Sequence, residues 1–284
     1  MTFTDVGVVG SGIMGSGIAE VSARAGCRVV VLEVSAAAAE AGRERLAGSL
    51  SRAVDKGRLP AEERDAVLGR LTWTGDDQEL AGCELVIEAA PEDEALKLDL
   101  FRRLDRVVRP DAVLASNTSS IPLVKMAAVT SRPGQVVGVH FFNPVPVLPL
   151  VEIVESLLTT QPTLDAVTAF AEQQLGKQTI RSKDRAGFIV NGLLIPYLLA
   201  AVRMLESGFA SAEDIDLGMV KGCAHPMGPL ALADLIGLDT TAAVAESMYA
   251  EFKEPLFAPP PLLLRMREAG LLGRKSGRGF FDYA

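Results

Sequence analysis

Histidine, cysteine, aromatic rings and positive charge are all scarce in this 284-residue chain, and each scarcity excludes something. With two histidines, His140 and His225, there is no histidine-rich metal motif. The three cysteines, Cys27, Cys83 and Cys223, are odd in number and far apart. They form neither a metal spacing nor a disulfide framework, and read as reduced core thiols of a cytoplasmic protein. Lysine and arginine number 28 against 36 acids, a net charge of −8. The few basic clusters, Arg43-Glu-Arg45 and Arg265-Met-Arg267, are interrupted, so nucleic acid is not an expected partner. The longest apolar stretch, Gly187 to Val202, is broken by Asn191 and Pro196 and stopped by Arg203. That is too short for a bilayer crossing and reads as a buried helix, with no membrane partner. Met1-Thr-Phe-Thr-Asp5 lacks a basic stretch ahead of an apolar core, so no secretory signal is expected. Aromatic content is 5% against 49% hydrophobic, which suits an Ala/Val/Leu-rich α/β protein.

What is present falls into two patterns. Val6-Gly-Val-Val-Gly10 is a short apolar run that enters Gly10-Ser-Gly-Ile-Met-Gly15. Ser16 to Ala25 has helical spacing, Gly26 stops it, and Val29-Val-Val-Leu32 follows as a second strand closed by Glu33. A charged, Ala-rich helical stretch covers Ala36 to about Leu59. Further strand-like runs occur at Leu85 to Glu88, Val113 to Ala115, Val136 to Val139 and Val151 to Val154. This alternation predicts a Rossmann-type doubly wound α/β sheet. After about Thr179 the strand-like runs stop and helices punctuated by Gly208, Pro226-Met-Gly-Pro229 and Gly237 take over. We expect a nucleotide-binding domain over 1–186 and a smaller all-helical domain over 187–284, whose apolar surfaces a homodimer would cover.

In the glycine cluster, the tight turn needs Gly10, close approach of a pyrophosphate needs Gly12, and helix–strand contact needs Gly15. Ile13 and Met14 lie inside the same turn. The cluster alone is weak evidence, but here it follows a strand, opens a helix, and has an acid closing the next strand. That context favours a dinucleotide over a structural turn. Glu33 would accept hydrogen bonds from ribose hydroxyls and repel a 2′-phosphate, which predicts NAD rather than NADP.

His140 sits in Val139-His-Phe-Phe-Asn-Pro-Val-Pro146, almost wholly apolar apart from Asn143. An imidazole there can exchange protons near neutral pH while its neighbours exclude bulk water. Taken alone, the block fits a catalytic base and a satisfied core histidine equally. Ser116-Asn-Thr-Ser-Ser120 follows an earlier strand and Glu152 lies twelve positions beyond His140, so these strand ends can share one sheet edge. Ser119 could instead cap a helix. His225, beside Pro226, reads as a structural loop residue.

At this point the chain closely resembles the L-3-hydroxyacyl-CoA dehydrogenase family, especially its short bacterial 3-hydroxybutyryl-CoA dehydrogenase branch. The resemblance is carried by Gly10 to Gly15, Ser116 to Ser120, His140 to Pro146, Leu150-Val-Glu152, Gly187-Phe-Ile-Val-Asn191, His225 to Pro229, Asp234 to Asp239 and Gly273 to Phe281. It implies NAD-dependent oxidation of a short (S)-3-hydroxyacyl-CoA, with His140 as base and Glu152 as its partner. Ser119 and Asn191 would hold the reacting oxygen and the thioester. The resemblance also implies that Glu92, Lys97, Asn143 and Lys275 contact NAD, and that Ser49 and Lys56 contact coenzyme A. Read as a residue, Lys56 is equally an exposed helix lysine.

Four positions, at three places in the chain, depart from the family pattern. Leu148-Pro149 stands where Met-Lys is common, Gly192 where Arg is common, and Ala200 where Glu is common. These leave the acyl preference open. An acyl carrier protein thioester, a dicarboxylic acyl-CoA or a sugar acid are rival substrates on the same fold. A non-catalytic NAD-binding protein is a rival of another class, against which the presence of Ser119, His140, Glu152 and Asn191 argues.

Overall fold

The computed structural model describes residues 2–283. The chain divides into two compact units, one ending at Arg185 and the other beginning at Ala186. The first is built on one eight-stranded sheet in the order β3-β2-β1-β4-β5-β6-β7-β8. Its strands are β1 (Asp5–Val9), β2 (Arg28–Leu32), β3 (Leu71–Thr74), β4 (Leu85–Glu88), β5 (Val113–Ser116), β6 (Val136–Phe141), β7 (Leu150–Glu155) and β8 (Gln178–Lys183). Every neighbouring pair is parallel except β6 with β7. Strands β4, β5 and β6 are buried at every position, which is why they read as continuous apolar runs.

The order reverses between β1 and β4, so a crevice opens there at the carboxyl ends of the strands. Helix α1 (Ile13–Arg24) leaves β1 at this point. Helix α2 (Ala36–Asp55) begins where the Ser35 hydroxyl accepts from Ala38 N at 3.2 Å. It ends before Gly57, whose φ of +64° a helix cannot continue. The helical stretch expected to run to about Leu59 therefore stops at Asp55, and a separate helix, α3 (Ala61–Gly69), follows it. Helix α4 (Glu94–Val107) is capped by Asp93, which accepts from Leu96 N at 2.8 Å. Helices α5 (Leu123–Ala128) and α6 (Gln161–Ala169) complete the covering layers.

Two strands lie where none was expected. β3 and β8 are the sheet's edges, and their residues are half-buried or exposed rather than continuously apolar. β8 also runs past Thr179, where strand signals were expected to stop. Cys27 and Cys83 are buried, and burial pushes the Cys83 thiol up to about 12. Cys223 is exposed, so it is not a core thiol: it stands just past a helix end, where no packing surface covers it.

The second unit is helical: α7 (Val190–Glu206), α8 (Ala212–Gly222), α9 (Pro229–Ile236), α10 (Leu238–Phe252) and α11 (Pro261–Glu268). Its core gathers Leu198, Val202, Leu230, Ala245, Met248 and Leu263. The Asp234 carboxylate accepts from Phe280 N at 2.9 Å, Phe281 N at 3.0 Å and the Tyr283 hydroxyl at 3.0 Å. That buried acid is what fastens the terminal Gly273 to Phe281 segment onto α9.

Candidate active site

The turn between β1 and α1 is shaped by two glycines for different reasons. Gly10 has φ +87°, and a Cβ there would lie 2.8 Å from the Ala89 carbonyl oxygen. A Cβ on Gly15 would sit 1.8 Å from Gly10 O, so α1 can approach β1 only without one. Gly12 differs: its φ is −57° and a Cβ would meet nothing within 4 Å. The fold does not need glycine at that position, but a ligand approaching the backbone would. No acid occupies the first turn of α1, so its N–H groups and positive end stay available to a pyrophosphate. The residues present fit a dinucleotide.

Glu33, at the end of β2, braces this turn. One carboxylate oxygen accepts Ser11 N at 2.5 Å and the Ser11 hydroxyl at 2.8 Å, and the other accepts Val34 N at 3.1 Å. Arg45 holds the Ser11 carbonyl from the other side at 2.6 Å. Beside Glu33 opens a cleft of about 500 Å³ lined also by Ser35, Ala39, Arg43 and Trp73. The Arg43 guanidinium lies 5.6 Å from the Trp73 ring centre.

Further along the same sheet, His140 on β6 stands directly opposite Glu152 on β7. The antiparallel register turns both side chains to one face, with His140 Nδ1 2.7 Å from Glu152 Oε2. The side chains are 8% and 0% exposed. The Phe142 ring meets the imidazole edge-on, with centroids 4.7 Å apart. A carboxylate at Nδ1 favours the Nδ1–H tautomer, which makes Nε2 the basic nitrogen and stabilises the charge formed when it takes a proton.

Ser119 lies on the loop after β5, beside β6 in the sheet. Glu92 Oε1 collects Ser119 N at 3.2 Å, Ser120 N at 3.2 Å, the Ser120 hydroxyl at 2.8 Å and the Thr118 hydroxyl at 2.5 Å. Burial alone would raise the Glu92 carboxyl, but the Lys97 ammonium and the Thr118 and Ser120 hydroxyls outweigh it and hold it below the usual range. Asn117 Oδ1 accepts Phe141 N at 2.9 Å, which ties this loop to the residue after His140. Lys97 is fully buried, with Nζ 2.5 Å from Glu88 and 3.2 Å from Glu92.

The sequence reading did not single out Glu88, or Lys177, whose ammonium holds the Val145 and Leu148 carbonyls at 2.7 Å each. An acid closing an apolar strand was the visible signal for Glu88, as it was for Glu33. Asn143 is exposed in the β6–β7 connection, ahead of a cis Pro144. Ser49 is half-buried on α2, while Lys56 is exposed where α2 ends. In the second unit Asn191 is half-buried in the first turn of α7, and Lys275 lies 2.5 Å from the Asp239 carboxylate. His225 Nδ1 is 3.0 Å from the Tyr197 hydroxyl, a structural contact within that unit. A Cβ on Gly192 would make only an ordinary contact, 3.9 Å from the Gly187 carbonyl oxygen, and Ala200 is exposed.

An imidazole oriented by a buried carboxylate, on a sheet that carries a dinucleotide-binding turn, can take a hydroxyl proton as hydride leaves the carbon bearing that hydroxyl. The class so defined is a dinucleotide-dependent dehydrogenase. Residues 5–185 match the family described as 3-hydroxyacyl-CoA dehydrogenase, NAD binding domain, and residues 187–283 match that described as 3-hydroxyacyl-CoA dehydrogenase, C-terminal domain. The chain is 60% identical over 279 residues to a 3-hydroxybutyryl-CoA dehydrogenase of Mycobacterium tuberculosis, covering 98% of each protein. It is similar to the crystal structure of FadB2 from that organism, with TM-score 0.98, 58% identity and all of both chains covered. The crystal structure of an (S)-3-hydroxybutyryl-CoA dehydrogenase from Ralstonia eutropha matches with TM-score 0.94 and 45% identity over 99% of each chain. The chain belongs to the 3-hydroxyacyl-CoA dehydrogenase family and is an NAD-dependent oxidoreductase.

Proposed function

We propose that the enzyme interconverts short (S)-3-hydroxyacyl-CoA esters, such as 3-hydroxybutyryl-CoA, and their 3-ketoacyl-CoA counterparts, with His140 as the general base. The His140–Glu152 pair, buried and 2.7 Å apart, is the observation that carries this reading. Bound NAD supplies the hydride acceptor. His140 takes the proton of the C3 hydroxyl in oxidation and returns it in reduction. Glu152 holds the ring and stabilises the imidazolium, and Ser119 hydrogen-bonds the reacting oxygen. Asn191 contacts the substrate as well. Gly10, Gly12, Ile13, Met14, Gly15, Glu33, Glu92, Asn143 and Lys275 serve the cofactor, and Ser49 and Lys56 serve coenzyme A, Lys56 by meeting a phosphate.

The test is oxidation of NADH and of NADPH by the purified protein with acetoacetyl-CoA. We expect turnover that prefers NADH by about a hundredfold, and a Glu33→Ser variant in which that preference shrinks at least tenfold, because the carboxylate that repels a 2′-phosphate is gone. Turnover with an acyl carrier protein thioester but not with the CoA ester would refute the carrier named here.

The working form in this reading is a cytoplasmic homodimer joined through the C-terminal helices. Leu193, Phe209 and Leu217 support it, since each is more than half exposed on that unit. Light scattering should give twice the chain mass, and Phe209→Asp with Leu217→Asp should shift it towards the monomer. A monomeric wild type would end the idea. Among the described residues no helix is long and apolar enough to cross a membrane.

A further inference from the structure

Lys97 and Glu88 form an ion pair with side chains 1% and 0% exposed. Taking both charges out of water is expensive, so such a pair is weak as a source of stability. Its geometry shows a different use. Glu88 Oε1 accepts the Lys97 ammonium at 2.5 Å and Ala90 N at 2.7 Å, and Glu88 Oε2 accepts the Ser116 hydroxyl at 2.6 Å. The Ser116 oxygen in turn accepts Thr118 N at 3.1 Å. Lys97 directs its other protons to the Ala90 carbonyl and to Glu92 Oε2, both at 3.2 Å. The three donors of an ammonium are thereby matched by three protein acceptors.

Two routes therefore lead from Glu88 to the serine loop. One passes through Ser116 to Thr118. The other passes through Lys97 to Glu92, whose second oxygen gathers Thr118, Ser119 and Ser120. We infer that Glu88 and Lys97 are positioning residues for Ser119, acting through Glu92 and Ser116, and that Lys97 serves the reaction by this route rather than as a cofactor contact. The inference rests on the reading that Ser119 meets the reacting oxygen. Loosening a hydrogen-bonding group by a fraction of an ångström weakens it most where its geometry matters most, in the transition state.

The variants are Lys97→Met, Glu88→Gln, the double variant carrying both, Ser119→Ala, and the triple variant. The single changes strand one buried charge and risk unfolding. The double variant removes both charges at nearly constant volume, so thermal melting should show it folded. With NADH saturating and acetoacetyl-CoA as substrate, the double variant should lose about 10- to 100-fold in kcat, while the NADH Kd from fluorescence titration changes less than about threefold. Ser119→Ala should lose a similar factor. The triple variant should be little slower than the slower parent, because the network acts through Ser119.

A folded double variant with wild-type kcat overturns the inference. So does one whose NADH Kd rises tenfold at unchanged kcat, which would make Lys97 a cofactor contact, or a triple variant in which the two losses multiply. Ser119→Ala with full turnover sinks the underlying role of Ser119 instead. A slow Ser119→Ala beside a fast double variant sinks the inference alone.

Discussion

Replacing His140 with glutamine is expected to lower kcat by about three orders of magnitude, within the range that positioned proton transfer contributes, while NADH binds nearly as in the wild type. Glutamine fills most of the ring's volume and can still donate to Glu152 Oε2, so the strand pair that carries both residues has no reason to separate. It has no nitrogen able to take a proton in this pH range. The loss corresponds to about 4 kcal/mol of transition-state stabilisation. The measurement is steady-state NADH oxidation and its reverse, beside a fluorescence titration with NADH. A variant that keeps wild-type turnover would remove His140 from the chemistry, whatever the fold.

The parts of this molecule that could be read from sequence are those set by local rules. The Gly10 to Gly15 turn is dictated by backbone conformation and close approach, so its glycines stand at fixed places along the chain. The central strands announce themselves because both faces are covered. The edge strands β3 and β8 do not, because LTWT and QTIRSK each face partly open surroundings and carry no sustained apolar run. The break at Gly57 was hidden inside a composition that favours helix on both sides. Lys97 shows the deeper limit. On a charged helix a lysine looks solvated, and only the arrival of Glu88 from a strand and Glu92 from a turn makes its burial tolerable. Asn117 is similar: its bond to Phe141 N crosses from one strand end to the next, and no spacing along the chain reports it.

The sheet departs from parallel pairing at one junction, between β6 and β7, and that is where His140 faces Glu152. Directly opposed residues of an antiparallel pair point to the same face with Cβ atoms only about 5 Å apart. Imidazole and carboxylate can then meet at 2.7 Å without any loop to position them. From this geometry Glu152→Gln is expected to lower kcat by about a hundredfold at saturating NADH and substrate. The amide can present its oxygen to Nδ1 and keep the ring in place, but it carries no charge to stabilise the imidazolium. Glu152→Ala should lose more, about a thousandfold, and should also melt earlier, because a side chain with no exposure is removed and the imidazole is left without its anchor. The decisive comparison is the His140→Gln, Glu152→Gln double variant. If Glu152 acts by orienting and charging His140, there is nothing left for it to assist once the imidazole is gone. The double variant should then turn over within a few-fold of His140→Gln alone. Losses that multiplied would instead mean that Glu152 acts on the substrate or on the fold of the site independently of the histidine it faces.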